Sequence, residues 1–304
     1  MTAFRTAWLA AVALGATMTS AQAQTGPVPT TAEARWFKLG ALQLASLHDA
    51  DFVAANDGKT FGVDVGPAAV TKALVAAGAP GDRLAISVNA LLVRLPGHLV
   101  LIDTGLGPKA HGMVADSLRQ AGVTAADVTD VLITHTHGDH AGGLVTADGK
   151  PAFPKAVVRM ATKEWASLQS QPGAKDLVTV ITPQVQTFEP GAPLLPGITP
   201  IAIEGHTPGH VGYEIASGKA RLLDIGDTAH SFIISLADPD WSMGFDADKA
   251  VGKASRRATL ARLAASHELV FSPHFPYPGV GRIVTAGTGF SWQPNPSATF
   301  SVHP

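Results

Sequence analysis

Hydrophobic and polar positions along this chain follow two patterns, one typical of strands and the other of helices. Short apolar runs rich in branched residues predict strands, and longer segments with apolar residues on one face predict helices. The longest helix is predicted over 248–266, with its Lys and Arg residues off the apolar face. The other predicted helices are 68–77, 114–121 and 162–169. The predicted strands are 39–47, 90–95, 99–102, 128–133, 156–160, 185–188, 198–203, 212–215, 221–225 and 269–272.

Strands and helices are therefore mixed throughout, which predicts an α/β fold. The segments rich in histidine lie just past the ends of predicted strands, where a rigid sheet commonly holds the loops that carry chemistry. Patterned segments follow one another from Trp36 onward with only short breaks. We therefore expect one domain over 36–304.

The N-terminus has the pattern of a secretory signal. Arg5 precedes an apolar run over 8–18, and Ala21-Gln22-Ala23 supplies the small-x-small pattern of a cleavage site. The alternative is a membrane anchor, but the run is shorter than the ~20 residues that span a bilayer. We expect a cleaved signal peptide over 1–23, a flexible leader over 24–35, and a periplasmic or secreted protein.

Composition removes several classes of function. The chain has 304 residues, 46% hydrophobic and 15% charged, which is typical of a globular protein. It has no cysteine, so thiolate metal sites and disulfides are excluded. The net charge of −2 gives no reason to expect nucleic acid as a partner. We expect no membrane association after signal cleavage, and a homo-oligomer is compatible with the sequence.

The densest chemistry lies in one short motif. Three histidines and an aspartate fall within six residues, and their nitrogen and oxygen atoms suit a divalent metal such as Zn²⁺. The first two histidines can reach one metal together, whereas the following pair points differently and indicates a second metal. The alternative is a loop cluster of histidines without a metal. The motif reads His135-Thr136-His137-Gly138-Asp139-His140.

This motif resembles the H-x-H-x-D-H loop of the metallo-β-lactamase fold superfamily. Four further segments resemble motifs of that superfamily, in the same order along the chain: 101–107, 205–210, 224–230 and 271–274. The resemblance implies a four-layered αββα sandwich with a dinuclear metal site at one edge. Zn²⁺ is the expected metal.

Carried over residue by residue, the resemblance implies seven ligands shared between two divalent ions. One ion is held by His135, His137 and His210. The other is held by Asp139, His140 and His274, and Asp227 bridges the two.

Three other residues leave alternatives open. His206 either orients a ligand from behind or closes a turn. Asp103 either accepts a hydrogen bond from a metal-bound histidine or is a plain turn residue. His230 either assists the leaving group or the developing oxyanion, or lies at the rim of the site.

The branch of the superfamily is indicated by 274–281 and by the Gly-Asp-x-x-His pattern that ends at His230. Both resemble exported hydrolases related to methyl parathion hydrolase and acyl-homoserine lactonases. This implies that a metal-bridging hydroxide attacks a small ester, lactone or phosphotriester, with Asp139, Asp227 and His230 as catalytic residues. One alternative is a secreted β-lactamase with a histidine-only zinc site, against which Asp227 argues. A mononuclear iron oxygenase and a binding protein with an idle metal site also stay open.

Overall fold

The computed structural model describes residues 25–295. The predicted signal segment 1–23 lies outside these described residues. Within 25–295, no helix has both the length and the apolar character needed to cross a membrane.

The first sheet has eight strands and runs in the order β1-β3-β4-β5-β6-β7-β8, with β2 also paired to β3. The pairs from β1 to β5 are antiparallel, and those from β5 to β8 are parallel. The predicted strands 90–95 and 99–102 form a hairpin through Pro96-Gly97, since Leu95 pairs with His98. The strands are β1 (Gly26–Val28), β2 (Glu33–Leu39), β3 (Leu42–Ala55), β4 (Arg83–Leu95), β5 (His98–Ile102), β6 (Asp130–Leu132), β7 (Val157–Ala161) and β8 (Val185–Phe188).

The second sheet has six strands in the order β14-β13-β12-β11-β10-β9. Only the central pair of β11 and β12 is parallel among these described strands. The strands are β9 (Ile198–Ala202), β10 (Val211–Ser217), β11 (Ala220–Asp224), β12 (Leu269–Phe271), β13 (Val280–Ala286) and β14 (Gly289–Pro294).

The helices are short except for the last. They are α1 (Pro67–Ala76), α2 (Val114–Gln120), α3 (Gly138–Ala141), α4 (Thr162–Ser170), α5 (Lys175–Ile181), α6 (Ile234–Ala237) and α7 (Lys249–Ser266). The prediction for α7 is confirmed. The helix begins after Asp248, whose carboxylate accepts hydrogen bonds from the backbone N–H groups of Ala250 and Val251, as expected of an N-cap aspartate.

Three apolar clusters place these elements in four layers. One cluster lies between the sheets and joins residues such as Leu91 and Ile102 to Tyr213 and Phe271. A second packs α2, α4 and α5 on the outer face of the first sheet. A third packs α7, through Leu260 and its neighbours, on the outer face of the second sheet. The αββα sandwich predicted from the resemblance is therefore confirmed.

The structure differs from the predictions near the N-terminus. The flexible leader predicted over 24–35 contains β1 and the start of β2, which pair with the two halves of β3. β3 is long, and without these partners its backbone groups on that side would be an open edge. The prolines of this segment are tolerated because β1 is itself an edge strand. The strand predicted over 39–47 is instead interrupted by a turn at Gly40, which has a φ of 58°.

One parallel strand pair in each sheet positions the candidate site. β5 and β6 are parallel in one sheet, and β11 and β12 are parallel in the other. The segments after β6, β11 and β12 carry His135, Asp227 and His274. Because these carboxyl ends meet at one edge of the sandwich, residues distant in sequence converge there.

Candidate metal centre

A single buried carboxylate forms the centre of the site. Asp227 is 3% exposed and lies just after β11, in a short helical turn over 226–228. Five histidine Nε2 atoms surround its oxygens. Their distances are 2.9 Å for His274, 3.1 Å for each of His140, His206 and His230, and 3.4 Å for His135.

These side chains fall into groups whose ligand atoms lie within 4.8 Å of one another, close enough to hold a metal ion. The first group is His135, His137, His206 and Asp227; the second is Asp139, His140 and His274; the third is Asp227, His230 and His274. The structure thus brings together every ligand implied by the resemblance except His210. Asp227 is shared by two groups, as a bridging residue would be.

His210, which the resemblance implied as a ligand, lies outside these groups, and His206 stands in the first group instead. The Nδ1–H of His210 donates to the carbonyl of Ile203 at 2.9 Å, and its Nε2 accepts the backbone N–H of Asp227 at 2.9 Å. Both ring nitrogens are therefore occupied by backbone groups. His206 instead directs Nε2 to the Asp227 carboxylate and lies 2.9 Å from His137 Nδ1.

Sequence reasoning considered His206 but did not place it among the ligands. Both histidines belong to the same Gly-His-Thr-Pro-Gly-His loop, so residue type and spacing do not separate them. The choice depends on which ring meets a backbone carbonyl, and that is decided by the fold of the loop between β9 and β10.

The donor set fits divalent metal ions. Nε2 of His135 is buried and has no hydrogen-bond partner among residues 25–295. Buried polar atoms left in this way are costly unless another group satisfies them. All the donors are imidazole nitrogens or carboxylate oxygens, the set that zinc and similar metals accept.

Hydrogen bonds behind three of the histidines fix their orientation. The Nδ1–H of His140 donates to Asp103 at 2.7 Å, that of His206 to Asp246 at 3.1 Å, and that of His274 to the backbone carbonyl of Ser87 at 2.9 Å. Each bond fixes the ring so that Nε2 faces Asp227. Metal-ligating histidines commonly use their second nitrogen in this way.

Asp103 therefore accepts a hydrogen bond from a candidate ligand, as the first of its two predicted roles requires. It adopts a left-handed backbone conformation with a φ of 58°. Its carboxylate also accepts the backbone N–H and the hydroxyl of Thr134 at 2.8 Å each. One residue of the 101–107 motif thus fixes both the start of the histidine loop and the ring of His140.

The charges of the site are strongly coupled. Burial by itself would raise the pKa of Asp227, but His140 and His274 outweigh it and hold that pKa well below its usual value. Burial by itself would lower the pKa of His206, but Asp227 and Asp246 raise it to about 9. Without metal, protons on the histidines balance the Asp227 charge, so metal ions must displace these protons when they bind.

His230 lies deeper than a rim residue. It is 5% exposed and stacks on His274, with ring centroids 5.4 Å apart and planes 6° apart. Burial lowers the pKa of His230 to about 4 despite the nearby Asp227, so its imidazole is neutral at pH 7. It can therefore donate a hydrogen bond through N–H. On its outer side lies Phe245, which is 56% exposed.

Comparison with known proteins decides the family. Residues 84–274 match the sequence profile of the Metallo-beta-lactamase superfamily. The chain belongs to the metallo-beta-lactamase superfamily. The fold and the five motifs in order agree with this membership.

Two solved structures of the superfamily are similar over nearly their whole length. AidC, a dizinc quorum-quenching lactonase in complex with a product, is 28% identical with a TM-score of 0.83, covering 87% of this chain and 98% of AidC. The hydrolase AbOPH, in the beta lactamase superfamily, is 26% identical with a TM-score of 0.78, covering 88% of this chain and 99% of AbOPH.

Similarity to curated superfamily members is more local. Ribonuclease Z of Thermobifida fusca is 33% identical over 111 residues, which are 30% of this chain and 33% of that enzyme. The match thus spans about a third of that relative's length. N-acyl homoserine lactonase of Bacillus cereus is 23% identical over 201 residues, covering 58% of this chain and 77% of that enzyme.

Proposed function

We propose that this protein is a dinuclear metal-dependent hydrolase that opens lactones and cleaves related small esters. The observation that carries the proposal is the buried Asp227 carboxylate, which lies within 3.4 Å of the Nε2 atoms of five histidines from four segments of the chain. The similarity to a dizinc lactonase over 98% of that lactonase supports the same reading.

The residues divide between two metal positions, with Zn²⁺ as the proposed ion. His135, His137 and His206 would hold one ion, and Asp139, His140 and His274 would hold the other. Asp227 lies between the two sets and would contribute its carboxylate to both. When bound, the ions supply Lewis-acid polarisation of the substrate oxygen and lower the pKa of water, so hydroxide forms near neutral pH.

Substrate access and binding depend on side chains around the metal positions. Asp139 has a side chain that is 30% exposed, unlike the other proposed ligands of its group, so the site opens to substrate on that side. The neutral imidazole of His230 donates a hydrogen bond to the substrate or to the leaving oxygen. Phe245, next to His230, offers an apolar surface at the entrance.

Two observations favour lactones over β-lactams as the substrates. The carboxylate at position 227 is the ligand that histidine-only β-lactamases usually lack, and AidC is a lactonase. Phosphotriesters stay within the proposed class because their hydrolysis, like that of an ester, develops negative charge on an oxygen, which bound cations would stabilise.

Metal analysis combined with a substrate panel tests the function. The panel holds an N-acyl homoserine lactone, an aryl ester, a phosphotriester and a penicillin, assayed with zinc-loaded protein. We expect about two zinc ions per chain and the highest kcat/KM on the lactone or aryl ester. Efficient turnover of penicillin alone would contradict the substrate class. One bound iron with consumption of oxygen would contradict the hydrolase itself.

We also propose that the protein is exported, on the signal pattern of residues 1–23. N-terminal sequencing of protein recovered from the periplasm or medium should begin at Gln24. Protein retained in the cytoplasm with Met1 or Thr2 at its start would contradict export.

A further inference from the structure

Glu164 is a buried acid outside the proposed ligand set. It lies in the first turn of α4, beneath the loops that carry the histidines of the first group, and it is fully buried. A buried carboxylate is costly unless hydrogen bonds or charges satisfy it, so its partners indicate what it does.

The two oxygens of Glu164 bind two different loops. Oε1 accepts the backbone N–H of Thr136 at 2.8 Å and its hydroxyl at 2.7 Å. Oε2 accepts the hydroxyl of Thr207 at 2.6 Å and the backbone N–H of Gly209 at 3.2 Å. One carboxylate thus links two segments that are far apart in the sequence.

Both linked segments carry metal ligands of the same group. Thr136 lies between His135 and His137, and Thr207 directly follows His206. The spacing of these three imidazoles is therefore set through Glu164. The contact is also tight, because a Cβ added at Gly209 would lie 2.2 Å from the backbone nitrogen of Glu164.

The second group is supported by other residues. His140 is oriented by Asp103, and His274 by the backbone carbonyl of Ser87 on β4. Glu164 makes no hydrogen bond to Asp139, His140 or His274 among the contacts described for residues 25–295. A change at Glu164 should therefore affect the two metal positions unequally.

We propose that Glu164 is a positioning residue that sets the metal affinity of the His135, His137 and His206 position without touching metal or substrate. This inference rests on the proposed dinuclear site. Replacing the carboxylate by an amide keeps its volume but leaves at least one backbone N–H facing an NH₂ group, so the link between the loops is weakened.

The test compares Glu164→Gln with Asp130→Asn, a matched change of another buried carboxylate. Asp130 accepts hydrogen bonds from His98, Thr129 and Arg159, none of which is a proposed ligand. Each zinc-loaded protein is titrated with a chelator, and the zinc retained per folded chain is measured. We expect Glu164→Gln to release one ion at a chelator concentration about tenfold below that for wild type. Asp130→Asn should follow wild type.

Double variants assign the lost ion to a position. Adding His274→Ala to Glu164→Gln should remove the remaining ion, whereas adding His206→Ala should change little further. The reverse pattern, or release of both ions together, would overturn the inference. So would unchanged chelator curves for Glu164→Gln.

A purely structural role makes a different prediction. It would lower the melting temperature of metal-free Glu164→Gln but leave its chelator curve unchanged. If Glu164→Gln does not fold, Thr207→Val removes one contact and Thr207→Ser keeps it. The inference is supported if Thr207→Val releases one ion at a lower chelator concentration than Thr207→Ser does. Identical chelator curves for the two variants overturn it. If the wild-type protein does not bind two ions, the proposed dinuclear function itself is contradicted.

Discussion

Nε2 of His206 lies 3.1 Å from Oδ2 of Asp227, so the first histidine of the Gly-His-Thr-Pro-Gly-His loop faces the centre of the site. Its other nitrogen is held by Asp246, which pairs in turn with the buried Arg256 at 2.8 Å. The second histidine, His210, is turned to backbone groups. This contrast separates a proposed ligand from a structural residue with the same side chain.

His206→Gln and His210→Gln form a matched pair that tests this contrast. We expect His206→Gln to lose about one zinc ion per chain and most of its hydrolytic activity, more than the roughly 10–100-fold typical of indirect partners. His210→Gln should keep both ions, because an amide can both donate to Ile203 and accept from the N–H of Asp227. Elemental analysis and kcat/KM measure both effects. The opposite result would restore His210 as the ligand.

Asp227→Asn should lose activity far more than it loses fold. An amide supplies no negative charge between two cations, so we expect kcat to fall by about 10²–10³ or more, with zinc content reduced. Far-ultraviolet circular dichroism should stay close to that of wild type, since the residue lies in a turn after β11 rather than in the sheet. Turnover at the wild-type rate would show that Asp227 does not hold the metals.

His230→Ala should discriminate between leaving groups. If the neutral imidazole donates a hydrogen bond to the departing oxygen, esters of alcohols with a high pKa should slow by about 10²–10⁴, and nitrophenyl esters much less. Zinc content should stay at about two per chain. Equal losses on both kinds of ester would indicate a binding role. Loss of zinc would instead make His230 a ligand, as its closeness to Asp227 and His274 permits.

His210 predicts an acid-sensitive component of stability in the metal-free protein. Burial lowers its pKa to about 3, against 6.5 for an ordinary histidine. In the unfolded chain His210 therefore binds a proton below about pH 6.5, whereas in the folded chain it binds that proton only below about pH 3. This group destabilises the fold as pH falls through that window, by up to about 1.4 kcal/mol per pH unit.

His210→Gln removes that titration. We expect the free energy of unfolding of metal-free His210→Gln to fall less steeply between pH 6 and pH 4 than that of wild type. Urea unfolding at several pH values measures the difference. Parallel curves for the two proteins would mean that His210 is protonated in the folded state.

Local patterns predicted much of the fold. The apolar runs located most of the strands around the site, and the apolar face of 248–266 located α7. The turn at Gly40 and the pairing of β1 were missed, because both depend on a partner strand. β1 and β2 are held by backbone hydrogen bonds to β3, and a local sequence pattern does not show which strands will pair.

The sequence by itself determined which segments carry the chemistry. Ligand-type residues cluster just past strand ends, and the order of the motifs indicates the superfamily. Residue type also fixed the donor atoms as nitrogen and oxygen, since the chain has no cysteine.

Only the tertiary structure decided which members of these segments meet. His206 and His210 are equivalent as sequence, and hydrogen bonds from Ile203 and Asp227 turn one of them away from the centre. Glu164 lies well outside every ligand motif, yet it links two of their loops. Such choices depend on contacts between segments far apart along the chain, which form only when the two sheets pack and bring their carboxyl ends to one edge.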